Sequence, residues 1–303
     1  MKTNSAEIIK AMRKEMGLSQ EEMAEQLFIS VRQLARIEAG EAGMDVWQFI
    51  TTLELLGAPS EDFWLLYLDS GEYASYREYK RLKRRLNDNN TSGIIKIIED
   101  IENGLLIRQP IVMQFVQYAR AVASKAKPSK KMMDNLYQAM FMSKPSFCLE
   151  KISEYRMTYN EILIALSMAQ CLTGLEEHDN AVQMVKSMIE NREGAKVSEE
   201  DRAVIFPALY YTLSYILRKA DRYKEAINAC NAAIDICREY NNLKNIPEML
   251  FWMAGCYHNL GEEEHICKTH MVRAYHMAYA IGKNNTAAVI KKDALRFYDI
   301  VIP

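Results

Sequence analysis

The sequence predicts an all-α protein. No stretch shows the strict alternation of apolar and polar residues that a half-buried strand requires, whereas apolar residues recur at helical spacing along most of the chain. Glycine and proline are few, at 12 and 7 of 303 residues, so they rarely interrupt these patterns. Pro110, Pro207 and Pro247 stand just ahead of helix-like runs, where a missing N–H costs nothing. The length predicts two domains, or one domain followed by a repeat array.

Residues 18–41 predict a helix-turn-helix. Ser19 and Glu22 have the spacing of a capping box, in which the serine hydroxyl caps the helix start and the glutamate bonds back to the N–H of the cap. Ser30 and Gln33 repeat this spacing eleven residues later. Two helix starts this close together leave room for one short helix, a tight turn and a second helix.

The second of these helices has two different faces. Leu34 and Ile37 point inward, where they meet Met23 and Leu27 of the first helix. The opposite face carries side chains that can reach base edges in a major groove, namely Val31, Arg32, Gln33 and Arg36. An ordinary helical hairpin with a solvated polar face is the alternative interpretation.

Residues 5–69 resemble the five-helix DNA-binding domain of the Xre/Cro repressor family. The resemblance rests on the pattern Ile9-x3-Arg13-x3-Gly17-Leu18-Ser19-Gln20-Glu21-Glu22-Met23-Ala24-x2-Leu27-x2-Ser30-x6-Ile37-Glu38-x-Gly40. It implies DNA contacts by residues of the second and third helices, which are Gln20, Ser30, Val31, Arg32, Gln33 and Arg36. Of these, Gln20 would contact a phosphate at a helix N-terminus.

The same resemblance implies an internal ion pair between Arg13 and Glu38, which ties the first helix to the third. One departure is Glu41, since many relatives carry Lys or Arg at this position and contact a backbone phosphate with it. Residues 1–69 contain six Lys and Arg against twelve Asp and Glu, which weighs against tight non-specific affinity for DNA. A homodimer would double the few phosphate contacts that each domain makes.

A basic cluster follows this domain, in a helix-like run over residues 73–86. It consists of Lys80, Arg81, Lys83, Arg84 and Arg85. Such a cluster next to a DNA-binding module could touch backbone phosphates, and the alternative is a solvated linker helix. We therefore divide the chain into a helix-turn-helix domain (1–69), a linker helix (70–90) and a repeat domain (91–303).

From residue 91 onward the sequence predicts paired helices with a common period. Ala181 recurs as Ala226 and then as Cys267, at offsets of 45 and 41 residues. Twelve residues before each stands another small residue, in turn Ala169, Ser214 and Gly255. Small residues that face each other let two antiparallel helices approach closely. The segment therefore resembles the tetratricopeptide repeat and predicts an α-solenoid.

In a tetratricopeptide solenoid the first helix of each pair lines the concave surface. Here that register selects amide, aromatic, aliphatic and arginine side chains, which are Arg120, Leu166, Gln170, Tyr211, Tyr215, Arg218, Trp252 and Asn259. Asn and Gln can bond both groups of a peptide backbone, Tyr and Trp form apolar walls, and Arg can hold a carboxylate. This surface suits an extended peptide, and the alternative is an ordinary repeat surface that binds nothing small.

The whole architecture resembles the peptide-pheromone regulators of Gram-positive bacteria, the Rgg/PlcR/PrgX type of the RRNPP group. The resemblance is specific in motif only over residues 5–69. It implies a homodimer that binds double-stranded operator DNA, and a short secreted and re-imported signalling peptide that docks in the concave groove. The peptide would shift the equilibrium between DNA-competent and incompetent arrangements, as in quorum sensing.

Other classes of function fit less well. The sequence lacks the Ser/His/Asp order, the glycine-rich phosphate loop and the paired carboxylates of enzymes, and we expect no cofactor. His258, His265, Cys267 and His270 do not share one helix face, so we expect no metal site. The six cysteines form no Cys-x-x-Cys pair, and we find no signal peptide or membrane span, which predicts a cytoplasmic protein with reduced thiols.

Two rival functions remain open. In the first, an Xre-type repressor of a phage or mobile element uses its helical domain only to dimerise or to bind a protein partner. In the second, the chain is a scaffold whose helix-turn-helix has lost DNA binding, which the acidic balance of residues 1–69 would permit.

Overall fold

The computed structural model describes residues 2–44, 52, 70–87, 92–104, 110–123 and 128–302. Within these ranges the regular elements are helices, with one isolated bridge between Thr158 and Lys196, so the predicted all-α class is confirmed. The fourth and fifth helices predicted for the N-terminal domain fall on residues 45–69, which lie outside the described residues except for Thr52. The α-helices of the described residues are α1 (Lys2–Glu15), α2 (Gln20–Gln26), α3 (Val31–Glu38), α4 (Ser70–Asn87), α5 (Ile94–Glu102), α6 (Pro110–Ala123), α7 (Lys130–Phe141), α8 (Tyr159–Gly174), α9 (His178–Glu190), α10 (Glu199–Lys219), α11 (Tyr223–Glu239), α12 (Ile246–Asn259), α13 (Glu264–Ala280) and α14 (Asn284–Tyr298).

Two compact units make up the chain, residues 1–112 and residues 113–303. The first contains the helix-turn-helix together with α4 and α5, and the second contains the helices from α7 onward. The domain limits expected from the sequence, after residues 69 and 90, stay predictions.

Hydrogen-bonded caps define the starts of α2 and α3. The Ser19 hydroxyl accepts from the Glu22 N–H at 3.1 Å, and the Glu22 carboxylate accepts from the Ser19 N–H at 2.7 Å, as the predicted capping box requires. The Ser30 hydroxyl accepts from the Gln33 N–H at 3.1 Å. A small core joins the three helices, and it consists of Ile9, Met23, Ala24, Leu27, Leu34 and Ile37. The four positions predicted to point inward are therefore confirmed.

Helices α4 and α5 pack against each other. Tyr76 and Leu82 of α4 are buried. So is a stripe of isoleucines on α5, made of Ile94, Ile97, Ile98 and Ile101. This i, i+3, i+4, i+7 spacing places all four on one face of the helix, which explains how α5 presents a continuous apolar surface to its neighbours.

Three helical hairpins follow one another in the second unit, α8 with α9, α10 with α11 and α12 with α13, and α14 packs on the last of them. The small residues that recur with the predicted period are buried in every hairpin, namely Ala169, Ala181, Ser214, Ala226, Gly255 and Cys267. The link inside each hairpin contains one residue with positive φ, in turn Glu176, Asp221 and Gly261. The three hairpins therefore share one turn geometry, and the predicted array of paired helices is confirmed.

Pro207 lies inside α10 and not ahead of a helix, so this expectation from the sequence is wrong. Its ring nitrogen cannot donate to the carbonyl of Ala203, four residues earlier, as a helix would require. The side-chain amide of Asn242 donates to that oxygen instead, at 2.7 Å. The replacement donor comes from a segment beyond α11, which helical spacing within α10 could not reveal.

Candidate functional sites

A buried ion pair connects α1 with α3. Arg13 donates from Nε to Glu38 Oε1 at 2.6 Å and from Nη2 to Glu38 Oε2 at 3.0 Å, and both side chains are buried. Arg13 Nη1 also donates to the Leu18 carbonyl oxygen at 2.6 Å. Two parallel charge-assisted bonds fix the relative position of the helices that carry them.

Gln20 takes part in the same network. Its Nε2 donates to Glu38 Oε2 at 2.8 Å. Burial by itself raises the pKa of Glu38, but the hydrogen bonds from Arg13 and Gln20 outweigh it and hold that pKa below its ordinary value. One amide hydrogen of Gln20 is therefore used inside the protein, and a phosphate contact by this residue has to use the other hydrogen or the backbone N–H.

The polar face of α3 is open to solvent. Leu34 and Ile37 on its other side are buried in the small core. The side chains expected to reach base edges are all exposed, namely Val31, Arg32, Gln33 and Arg36. A helix of this kind can lie in a major groove without losing its own packing.

Local contacts involve two more residues of the predicted DNA-binding set. The exposed Ser30 uses its hydroxyl as the cap of α3, so its contribution to DNA binding is first of all to hold the helix start. Arg36 Nε lies 3.8 Å from Glu41 Oε2, with both side chains more than half exposed. Such a pair is worth little in water, so a phosphate or a base can replace Glu41.

The turn between α2 and α3 contains a residue that sequence reasoning missed. Phe28 has a φ of 53°, in the left-handed region, and its side chain is 96% exposed. A residue with a Cβ is strained there by roughly 1–2 kcal/mol, and an exposed ring gains little from packing to offset this. The available signal was the absence of glycine between Leu27 and Ser30, where the chain has to turn.

Four of the residues expected to bind a peptide come together on α10 and α12. The ring centroids of Tyr211 and Trp252 are 4.6 Å apart, and those of Tyr215 and Trp252 are 5.8 Å apart. The Arg218 guanidinium carbon lies 5.3 Å from the Trp252 ring centroid, in cation–π contact. Burial raises the pKa of Tyr211, so its hydroxyl stays neutral. We call Tyr211, Tyr215, Arg218 and Trp252 the aromatic cluster.

A pocket of about 620 Å³ includes part of this cluster, because Arg218 and Trp252 line it. The rest of its lining comes from α12 and α14, and consists of Glu248, Phe251, Asn285, Thr286, Val289, Ile290, Asp293, Phe297 and Tyr298. Sequence reasoning missed the contribution of α14, because it sought the concave surface only on the first helix of each pair.

Two charged side chains of the pocket each have a buried atom with no hydrogen-bond partner, Arg218 Nε and Glu248 Oε2. The other oxygen of Glu248 accepts from Lys283 Nζ at 2.5 Å. Buried polar atoms in proteins usually have hydrogen-bond partners. Two such atoms without partners, one donor and one acceptor, favour a ligand that offers both an acceptor and a donor. A peptide backbone, with its C=O and N–H groups, has that chemistry.

The other residues predicted for the concave surface divide into two groups. Leu166 is only 5% exposed and packs in the core, which corrects its expected place on a surface. Thirteen of the sixteen residues of α8 are buried, so helical spacing could not distinguish an outer face. Arg120, Gln170 and Asn259 are exposed, but they are not among the residues that line the pocket.

All six cysteines are free thiols, and five of them are buried. Burial raises the pKa of Cys230 to about 12 and the pKa of both Cys237 and Cys256 to about 11. Among the described residues, no group of three or more His, Cys, Asp or Glu side chains could hold a metal ion. In the same ranges, no helix combines the length and the apolar character that crossing a bilayer requires.

These features define a class of architecture, in which a helix-turn-helix with an exposed arginine-bearing helix is combined with stacked helical hairpins that contain an aromatic pocket. Residues 9–43 match the family model described as "Helix-turn-helix". Comparison with curated protein sequences gives no match.

Solved structures share the fold along almost the whole chain. PlcR of Bacillus thuringiensis, in complex with the peptide PapR7 and DNA, aligns with a TM-score of 0.69 at 16% identity, covering 95% of this chain and 99% of that one. ComR from S. thermophilus, in complex with DNA and its signalling peptide ComS, aligns with a TM-score of 0.61 at 15% identity, covering 96% of this chain and 99% of that one. The SHP pheromone receptor Rgg2 of Streptococcus dysgalactiae aligns with a TM-score of 0.52 at 12% identity, covering 96% of this chain and 99% of that one. At these identities the likeness establishes the fold.

Proposed function

We propose that this protein is a DNA-binding transcriptional regulator whose activity is controlled by a short signalling peptide. The observation that carries the proposal is the fold of the chain. PlcR and ComR, each solved with DNA and a peptide, align with 95% and 96% of it. The described residues add an exposed reading helix in the first unit and an aromatic pocket in the second, which are the two sites that such a regulator needs.

In the DNA-binding half of the proposal, α3 lies in the major groove of a double-stranded operator. Arg32 and Arg36 hydrogen-bond guanine edges, Gln33 bonds an adenine edge, and Val31 contacts a thymine methyl group. Gln20 and the N-terminus of α2 contact the phosphate backbone. The Arg13–Glu38 ion pair touches no DNA, and its part is to hold α3 at a fixed angle to α1.

In the peptide-binding half, the aromatic cluster and the adjoining pocket take an extended peptide. Tyr211, Tyr215 and Trp252 contact its apolar side chains, while Arg218 Nε donates to a backbone carbonyl or a carboxylate. The exposed amides of Gln170 and Asn259 bond further parts of its backbone, and Arg120 offers a second cation. Leu166 has no place in this site, because it is buried.

The regulator acts as a homodimer in the cytoplasm. Two copies of the helix-turn-helix place two reading helices on half-sites about one helical turn apart, and that spacing tolerates little error. A peptide that binds one arrangement of the dimer more tightly shifts the population toward it. Binding and population shift account for this activity without a chemical reaction, so the protein is a regulator and not an enzyme.

The DNA half is tested by selecting duplexes from a random-sequence library with the purified full chain. Gel shifts with the selected duplex should show that Arg32→Ala and Arg36→Ala each lose about 1–3 kcal/mol of binding free energy and part of the sequence preference. Lys268→Ala, which removes an exposed cation from α13, is the control and should bind like the wild type. Undiminished binding by both arginine variants would reject α3 as the reading helix.

The peptide half is tested separately, by thermal shift of the full chain against short hydrophobic peptides encoded near its gene. A peptide present at about one hundred times its dissociation constant stabilises the folded protein by about 2.7 kcal/mol and raises the melting temperature. Trp252→Ala should abolish that rise, whereas Lys224→Ala on α11 should keep it. A rise that survives Trp252→Ala would place the ligand elsewhere and contradict the assignment of this site.

A further inference from the structure

The outer face of α4 carries a stripe of positive charge. Arg77, Lys80, Arg81 and Arg84 follow the i, i+3, i+4, i+7 spacing that places residues on one helix face, and all four are exposed. The buried residues Tyr76 and Leu82 lie on the other side, toward α5. We call these four residues the basic stripe.

The charge of α4 is opposite to that of the segment before it. Residues 70–87 contain six Lys and Arg against two Asp and Glu, whereas residues 1–69 contain six against twelve. Both segments belong to the same compact unit, residues 1–112. The polar face of α3 offers only Arg32 and Arg36, whereas α4 alone carries six Lys and Arg.

Two residues of the basic stripe make contacts that leave their charge in place. Arg81 Nη1 lies 3.2 Å from Glu78 Oε2, but this pair is partly exposed and one turn apart on the helix, where ion pairs are weak. Lys80 Nζ lies 5.4 Å from the Tyr76 ring centroid, a contact that leaves the ammonium charge in place. Arg85 of the same helix, by contrast, donates to the Ser92 carbonyl oxygen at 2.5 Å, so its guanidinium is bound to the segment that follows α4.

The density of charge along the stripe resembles that of duplex DNA. From Arg77 to Arg84 the stripe spans seven helical steps, or about 10.5 Å of helix, which gives one positive charge per roughly 2.6 Å. B-DNA carries one negative charge per about 1.7 Å of its axis, and proteins bind it by replacing condensed counterions with Lys and Arg. A row of cations along one helix face fits such a regular polyanion.

We infer that the basic stripe of α4 binds the phosphate backbone of duplex DNA, outside the groove that α3 reads. This inference rests on the proposed function of DNA binding. The stripe supplies affinity without sequence preference, and it compensates for the acidic balance of residues 1–69. DNA binding by this protein therefore has two separable parts, specificity from α3 and much of the salt-dependent affinity from α4.

The test measures how the affinity of the full chain for a short duplex of arbitrary sequence depends on salt, by fluorescence anisotropy between about 50 and 200 mM. Arg77→Gln/Arg84→Gln should reduce the slope of log affinity against log salt by about two per protomer, one for each lost phosphate contact. The affinity of the double variant for a selected operator should fall by the same factor as its affinity for the arbitrary duplex. The ratio of these two affinities, which measures specificity, should therefore stay unchanged. Arg77→Lys/Arg84→Lys should keep the wild-type slope.

The matched control is Lys224→Gln/Lys268→Gln, which removes the same charge from exposed positions of α11 and α13 and should leave the slope unchanged. A slope in Arg77→Gln/Arg84→Gln equal to that of the wild type overturns this inference and leaves the proposed function standing. An equal fall in the control overturns it too, because net charge alone would then explain the effect. A wild-type protein that binds no duplex at all overturns both proposals.

Discussion

The side-chain amide of Asn242 donates a hydrogen bond to the backbone carbonyl of Ala203, 2.7 Å away. This carbonyl is the one that Pro207 leaves without its helical donor. Asn242 and Ala203 belong to different parts of the repeat array, so the bond attaches the segment after α11 to the N-terminal part of α10. It shows how a neighbouring repeat can satisfy a defect inside a helix.

Replacing Asn242 with Ala should destabilise the second unit by about 1–2 kcal/mol, because the Ala203 carbonyl loses its donor. The measurement is urea unfolding followed by circular dichroism. Adding Pro207→Ala restores a backbone N–H at the right position, so the double variant should recover most of the loss. If Pro207→Ala gives the same gain in the presence and absence of Asn242, the two residues are not coupled and this account of the bond is incorrect.

Replacing Glu38 with Gln should destabilise the helix-turn-helix by about 3–5 kcal/mol, since Arg13 would keep a buried charge without its counter-ion. The local effect is measured by hydrogen exchange of amides in α1 and α3. Glu41→Gln removes an exposed carboxylate from the same region and should change stability by less than about 0.5 kcal/mol. Equal effects of the two substitutions would contradict a structural role for the ion pair.

The stability of the first unit should also depend on pH through Glu38. Its pKa in the folded protein is lowered from 4.5, so the stabilisation from its carboxylate is present above pH 4.5 and is lost as the pH falls through the folded value. Urea unfolding at a series of pH values should show this acid loss in the wild type. In Glu38→Gln the loss should be smaller, and an identical acid profile would show that other carboxylates cause it.

Replacing Phe28 with Gly should stabilise the protein by about 0.5–1 kcal/mol, because glycine adopts a φ of 53° without strain and the exposed ring contributes little packing. Thermal unfolding gives the size of the gain. Phe28→Ala is the matched control, since it removes the ring but keeps the strain, and its stability should stay close to that of the wild type. A large loss in Phe28→Ala would mean that the ring packs against part of the protein.

Replacing Gly255 with Ala should displace Tyr298, because a Cβ at position 255 would lie 2.7 Å from the Tyr298 hydroxyl oxygen. We expect a destabilisation of about 1–3 kcal/mol, measured by thermal unfolding. Tyr298→Phe removes the hydroxyl, after which the nearest ring carbon is at an ordinary 3.6 Å, so the double variant should recover most of the loss. No recovery would show that the clash involves other atoms of the close approach between α12 and α14.

Local sequence rules predicted much of this fold. The Ser19 and Glu22 spacing gave the start of α2, and the period that relates Ala181, Ala226 and Cys267 gave the hairpins, because both depend on residues close in sequence or on a regular repeat. The position of Pro207 was predicted wrongly because the missing hydrogen-bond donor is replaced by Asn242, which lies beyond the next helix. A rule that considers one helix at a time cannot predict that contact.

The candidate sites were predicted less completely than the fold. Helical spacing and the repeat register correctly predicted that Tyr211, Tyr215, Arg218 and Trp252 lie together, since residues one turn apart share a helix face. It also selected Leu166, because a helix buried on all sides gives no signal of which face is outside. The pocket residues of α14 were missed, since their approach to α12 depends on the packing of the last hairpin.

The raised pKa values of Cys230, Cys237 and Cys256 bear on how the array responds to oxidants. Peroxide attacks the thiolate form of cysteine, and burial keeps these three sulfurs protonated and shielded at neutral pH. Oxidation of these three thiols inside the stacked hairpins is therefore disfavoured, whereas the half-buried Cys148 has less of this protection.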